Sequence, residues 1–333
     1  MSQSKVEENT KAGLSDAYYE GMKVFWEHSD QFTQVKHLVE TYFRHFKEQL
    51  DQKLADPSMT QELKSNLSAL LNQPLNWVDL GSGDGQMSQD VLKSLDKLGY
   101  PAPHYEGVEP DHRFVDISKN RFKGQNNVTI KEGDAFDGSL SEKYSQEKKN
   151  FVTAFNSVYF VRDLPHFKTE VDAILAPTGI AIFVQSQKFT DNLGAEFHSK
   201  MAVPISTEVR FPELPDEAWD MLTSRKSVAD IQSSASLTDQ QKKDTMTTRM
   251  ILEAMSNGVS TEEEGGQKIA QMYRERISSN DFGGVGRHVV NNVMLAYVHP
   301  NAPFVLKTVA EKAYVLTQKE ICPELSCEQG KSR

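Results

Sequence analysis

Apolar positions in the first third of the chain fall on one helical stripe, and the period then changes. Phe32, Val35, Val39, Tyr42, Phe43, Phe46, Leu50 and Leu54 recur at three- and four-residue spacing, within a segment that turns helical from Leu14. A shorter helix is expected over 60–71, stopped by Pro74. From Leu75 onward the pattern becomes short apolar runs. These predict strands at 75–80, 104–108, 127–131, 151–156 and 179–185, with helices at 86–98, 113–122 and 163–175 between them. Strands alternating with helices predict a parallel sheet covered on both faces. After Gln185 the alternation stops. Residues 190–287 read as mainly helical, best at 237–258 and 261–277. A strand returns at 288–298, and 313–316 is expected as another. The expected organisation is a flexible 1–14, a helical cap 15–72, a core 73–187, a mainly helical substrate or lid region 188–286, C-terminal strands within 287–320 and a polar tail 321–333.

Composition narrows the class. Hydrophobic residues make up 38% and charged residues 25% of 333, enough to bury a core. The net charge of −10 is a poor match for a phosphate backbone, so no nucleic-acid partner is expected. No run of 18 apolar residues exists, and the polar N-terminus lacks the apolar stretch of a secretory signal, so no membrane association is expected. The two cysteines, Cys322 and Cys327, make neither a disulfide framework nor a four-cysteine zinc site, and a reduced cytoplasmic setting is expected. No metal is expected.

Candidate chemistry starts at Val78-Asp79-Leu80-Gly81-Ser82-Gly83-Asp84-Gly85, where a strand runs into three alternating glycines. Glycines there let the backbone turn sharply and a ligand approach closely. The spacing is G-x-G-x-G rather than the dinucleotide pattern G-x-G-x-x-G, because Gln86 occupies the sixth position. Glu109 ends the next strand and can accept from both ribose hydroxyls of a nucleoside. An NAD enzyme would want the same acid, so Glu109 alone does not discriminate. Gly133-Asp134-Ala135-Phe136 follows the third strand, and the fourth ends at Phe155-Asn156. All these segments fall at carboxyl ends of successive strands, where open α/β sheets bind ligands.

Motif I and the segments after it resemble those of class I S-adenosylmethionine-dependent methyltransferases. That resemblance implies a Rossmann-like sheet of parallel strands with an antiparallel C-terminal strand. It also implies S-adenosylmethionine as cofactor and S-adenosylhomocysteine as product. The implied cofactor contacts are Asp79, Gly81, Ser82, Gly83, Gly85, Glu109, Pro110, Asp134, Ala135 and Phe155. A closer likeness is to the histamine N-methyltransferases. Tyr18-Tyr19-Glu20-Gly21-Met22-Lys23-Val24-Phe25-Trp26-Glu27-His28-Ser29 is similar to that family's opening helix. Tyr159-Phe160-Val161-Arg162-Asp163-Leu164-Pro165 is similar to its Tyr-Tyr-Val-Lys-Asp-Ile-Pro, and 289–295 to its terminal strand with an Asn-Asn pair. The likeness covers about 15–187 and 286–298.

It places Tyr18, Met22, Gln31, Asn156 and Asn292 on acceptor-contacting positions. Gln31 replaces a Glu, Met22 a Phe and Asn156 a Gln, and Phe114 replaces a Gln that touches the cofactor. A neutral amide cannot give an ammonium the charge-assisted bond a carboxylate gives. The expected activity is methyl transfer to a nitrogen of a small amine or N-heterocycle, with Tyr18, Gln31, Asn156 and Asn292 at the acceptor and the chain a monomer. The alternatives are transfer to a hydroxyl or carboxyl group, and an idle protein that only binds a cofactor or partner. A nucleic-acid methyltransferase is disfavoured by the acidic charge and by the lack of an N/D-P-P-Y/F motif after the fourth strand.

Overall fold

The computed structural model describes residues 16–255, 260–278 and 287–322. The expected flexible start, the run Gly283-Gly284-Val285-Gly286, Cys327 and the tail from Pro323 lie outside the described residues. The elements, in chain order, are α1 (Asp16–Glu27), α2 (Gln31–Leu54), α3 (Gln61–Asn72), β1 (Asn76–Leu80), α4 (Gln86–Lys97), β2 (His104–Glu109), α5 (His112–Arg121), β3 (Val128–Glu132), α6 (Leu140–Lys143), β4 (Lys149–Phe155), α7 (Leu164–Ile174), β5 (Leu175–Ser186), α8 (Gln187–Glu196), β6 (Ala202–Arg210), α9 (Asp216–Thr223), α10 (Val228–Ser233), α11 (Asp239–Met255), α12 (Glu264–Ser278), β7 (Arg287–Val298) and α13 (Phe304–Ile321).

One seven-stranded sheet runs in the order β3-β2-β1-β4-β5-β7-β6. The pairs from β3 through β5 are parallel, and β7 runs antiparallel to β5, with Ile180 opposite Val298 and Ser186 opposite Asn292. The expected parallel sheet with an antiparallel C-terminal strand is therefore present. Its central strands are buried on both faces, with Trp77, Val78, Leu80, Val152, Ala154 and Phe183 almost wholly enclosed, while the edge strand β3 is half-buried to exposed. Strand order reverses between β1 and β4, and such a switch opens a crevice at the carboxyl ends.

The chain forms two compact units, one within Met1–Phe32 and Thr207–Val290, the other within Thr33–Ser206 and Asn291–Arg333. In the first, α1 packs on α11 around Phe25, Trp219, Leu222, Ile251, Leu252 and Tyr273. Met22 packs against this cluster. The second holds the sheet core.

Three expectations are refined or corrected. The helical segment from 14 to 54 is two helices, because His28-Ser29-Asp30 leaves the helix. Ser29 bridges to Val209, and the Ser29 hydroxyl caps Gln31 N–H at 3.1 Å. A strand, β6, lies inside the stretch expected to be mainly helical; its burial alternates through Val203, Ile205, Thr207 and Val209. Residues 313–316 are helix rather than strand, and no second strand follows β7 in 299–322. Leu306, Val309, Ala310, Ala313 and Thr317 form one buried face of α13. The one-turn helix α6 was also not foreseen.

Candidate cofactor-binding site

The glycine loop joins β1 to α4. Gly81, Gly83 and Gly85 have φ of 73°, 56° and 77°, the left-handed region that costs L side chains energy. Two of them are needed for space as well. A Cβ on Gly81 would sit 2.5 Å from the Ser157 Cβ, and one on Gly85 would sit 2.6 Å from the Ser118 Oγ and 2.7 Å from the Phe122 ring. The loop is tied to its neighbours by backbone. Gly81 N–H and Ser82 N–H both donate to the Val108 carbonyl, at 2.8 and 3.0 Å. Asp84 pairs with Arg121 at 2.6 Å, and the Arg121 Nε donates to the Asp84 carbonyl.

Glu109 stands at the end of β2, only 5% exposed. Its Oε2 accepts from Gly83 N–H at 2.9 Å, and its Oε1 from Asp111 N–H at 3.0 Å. Each oxygen therefore keeps one lone pair for another donor. Burial pushes the carboxyl up to about 7, although both amide bonds pull it down. Asp111 caps α5 and is held low, against the cost of burial, by the Arg113 guanidinium and amide. A buried carboxylate with two lone pairs held in fixed directions, next to a glycine loop, fits the vicinal hydroxyls of a ribose.

Asp79 sits differently. Its carboxylate is 1% exposed and is taken up by Thr153, Ser88 and Tyr105, with Thr153 in turn accepting from the Trp77 indole. Burial pushes it up to about 6 against those three hydrogen bonds. The carboxylate braces β1 against β4 and α4, so a direct contact of Asp79 with a ligand is not what this placement supports. Ser82 is buried, Pro110 exposed, Ala135 buried and Phe155 partly buried. Asp134 is exposed, and its carboxylate accepts from Phe136 N–H at 2.8 Å.

Asn156 follows Phe155 with φ 55°, a left-handed conformation, and donates its N–H to Val184 at 2.7 Å. Asn292 is 1% exposed on β7, opposite Ser186. Both belong to the sheet unit. Tyr18 and Gln31, 5% and 7% exposed, belong to the other unit. Phe114 is buried in α5. The sequence reading missed Ser157, whose hydroxyl donates to the Leu80 carbonyl at 2.5 Å and forms the floor under Gly81. It also missed Asp111, whose amide holds Glu109. The run Glu109-Pro110-Asp111 carried that signal, since an Asp two residues past a strand end is a helix-cap position.

Residues 46–204, just under half of the chain, match the sequence family described as a methyltransferase domain. That stretch takes in β1 to β5, the glycine loop and Glu109. Among solved structures the chain is similar to the YcgJ protein of Bacillus subtilis, at 11% identity over 75% of this chain and 97% of that one, with a TM-score of 0.39. It is also similar to an S-adenosylmethionine-dependent methyltransferase of Thiobacillus denitrificans, solved with S-adenosyl-L-homocysteine, at 18% identity over 72% and 92%, with a TM-score of 0.34. Against the trans-methyltransferase CalH, also solved with S-adenosylhomocysteine, identity is 21% over 36% of this chain and the TM-score 0.31. The chain spans about a third of CalH and of the citrinin polyketide synthase methyltransferase domain, 35% and 32% of their lengths. No curated protein matches the sequence. Among the described residues no group of three or more His, Cys, Asp or Glu could hold a metal ion, and no helix is long and apolar enough to cross a membrane.

Proposed function

We propose that the protein is an S-adenosylmethionine-dependent methyltransferase that methylates a nitrogen of a small amine or N-heterocycle. The observation that carries the cofactor half is Glu109, held by Gly83 and Asp111 with one lone pair free on each oxygen. Bound S-adenosylmethionine would supply an activated methyl on a good, neutral leaving group, released as S-adenosylhomocysteine. Glu109 would take the ribose hydroxyls, the backbone at Gly81 and Gly83 would line the amino-acid arm, and Asp134 with Ala135 would meet the base. What this chain must add is orientation and exclusion of water. Tyr18, Gln31, Asn156 and Asn292 are the residues we assign to the acceptor. Three of them are neutral amides, which hold a nitrogen nucleophile by hydrogen bonds without favouring its protonated, unreactive form. The same amides would also orient a hydroxyl, which makes O-methylation the second reading.

The mainly helical stretch 188–286 is assigned to acceptor recognition, in a monomer working in the cytoplasm. Mass spectrometry of what copurifies with the chain, followed by a panel of biogenic amines and N-heterocycles with methyl-labelled cofactor, tests the reading. Labelled N-methyl product is expected. Label on oxygen would favour the second reading, and cofactor binding without transfer to any acceptor class would favour an idle binder.

A further inference from the structure

Beside the expected base position lies a cavity of about 260 Å³ between the loop after β3 and the start of α7. Phe136 forms the wall shared with the glycine loop: its ring edge lies 3.8 Å from where a Cβ on Gly81 would stand. The Phe167 ring meets Phe136 edge-on, with centroids 5.6 Å apart. Leu140 and Val161 complete the apolar lining, and the His166 imidazole closes one side against Gly138, where a Cβ would come within 2.8 Å of Nε2.

Charged groups around the cavity are already engaged. Glu170 accepts from the Ser141 amide and hydroxyl at 2.9 and 2.6 Å, Asp137 from Lys143 at 3.1 Å, and Asp163 from the His166 amide at 3.0 Å. The lining is mixed: a polar rim of Asp137, Arg162, Asp163 and His166 surrounds an apolar wall of Phe136, Leu140, Val161 and Phe167 that can take the face of a ring. The cavity's volume exceeds the roughly 150 Å³ of an apolar cavity that takes up benzene, and falls short of the roughly 300 Å³ at which whole small-molecule sites begin. The volume accommodates a single aryl ring.

Asp134, which immediately precedes the lining residues Ala135 and Phe136, is assigned above to the base, and its carboxylate can accept from the exocyclic amine. We propose that the cavity is an annex to the base subsite that accepts an aryl group carried on that amine, so that the protein binds N6-aryl-substituted adenosyl ligands as well as unsubstituted ones. This rests on the cofactor reading above.

The test compares S-adenosylhomocysteine with N6-benzyl-S-adenosylhomocysteine by calorimetry on the full chain. The benzyl ligand is expected to bind within about threefold of the parent or more tightly, because burial of the ring offsets the loss of one amine hydrogen. Val161→Trp, which fills the cavity from its rim, should leave the parent's affinity unchanged and weaken the benzyl ligand about tenfold or more. A benzyl ligand bound a hundredfold more weakly than the parent by the unmodified protein overturns the annex and leaves the cofactor reading standing. Failure of the parent to bind overturns both. If Val161→Trp does not fold, photolabelling of the unmodified protein with an N6-azidobenzyl analogue decides: adducts within 135–140 or 161–170 support the annex, and adducts elsewhere refute it.

Discussion

Replacing Glu109 with Gln, and titrating the unmodified protein, separates a ribose-binding carboxylate from a merely structural one. Both carboxylate oxygens already accept a backbone N–H, so a protonated Glu109 would have to turn its own hydrogen toward a donor or into the space of a ribose hydroxyl. Only the ionised form can accept from the loop and the ligand together. Burial has pushed this carboxyl up to about 7. Ligand affinity should therefore be highest above that pH and fall as pH drops through it, approaching tenfold per pH unit, or about 1.4 kcal/mol. At pH 5.5 the ionised fraction is about one thirtieth, a penalty of about 2 kcal/mol. Stability carries the opposite sign. The folded state holds this proton between the ordinary carboxylate range and about 7, so Glu109 contributes most stability at low pH and loses it as pH rises across that window.

The assay is calorimetry from pH 5.5 to 8.5 with methylthioadenosine, which has the ribose and base but no amino-acid arm to titrate in that range. Glu109→Gln places an amide nitrogen against a backbone N–H and removes the charge-assisted bond. It should weaken binding by about 1.5–3 kcal/mol, roughly ten- to a hundredfold, and flatten the pH dependence. Affinity independent of pH in the unmodified protein, or unchanged in Glu109→Gln, would refute the assignment.

Gly85→Ala should destabilise the fold by about 2–4 kcal/mol in chemical denaturation, combining left-handed strain with a clash against Ser118 and Phe122. Gly99→Ala, with a similar φ of 79° and nothing within 4 Å of the new Cβ, should cost only about 1 kcal/mol; equal losses would show that the packing against α5 is unimportant. Asn156→Gly should relieve the strain at φ 55° and raise stability by up to about 1 kcal/mol while lowering turnover, whereas turnover at the unmodified level would remove Asn156 from the acceptor site. Gln31→Glu should raise kcat/KM for histamine relative to other amines by about ten- to a hundredfold at matched pH, as a charge-assisted bond is restored, and no gain would show that position 31 does not meet the amine.

The geometry of the loop proposed to hold the cofactor was legible because it is built mostly from backbone. A left-handed loop needs glycine, and Gly81, Gly83 and Gly85 stand where a strand stops, so local spacing marks the site. Glu109 was legible for the same reason, as a carboxylate at the next strand end. Asp79 was legible as a position but not as a role, because its partners Ser88 and Thr153 come together only when α4 and β4 pack on β1. The miss at β6 has a local cause. Its period-2 pattern spans Val203 to Val209 but contains Pro204, which argues against a central strand and is tolerated on the edge strand this proves to be. The error at 313–316 came from a window too short to tell a strand from one turn of a helix. Over Leu306 to Thr317 the three- and four-residue spacing is plain.

Acceptor identity stayed hidden for a related reason. Its proposed residues come from four distant segments, on α1, the start of α2, the end of β4 and the middle of β7, and each is a residue type common in ordinary structure. Tyr18 alone is indistinguishable from a core tyrosine, and Asn292 from a buried amide within a strand. Asn156 is the exception. A non-glycine residue held left-handed at the carboxyl end of a central strand costs energy that a glycine there would avoid. The sequence keeps an amide instead of a glycine at this one place, beside the switch in strand order and one residue before the serine that floors the glycine loop. Strain retained beside the glycine loop proposed to bind the cofactor argues that the amide itself is used. That makes Asn156, rather than the buried tyrosine or the strand asparagine, the residue from which the acceptor should be sought.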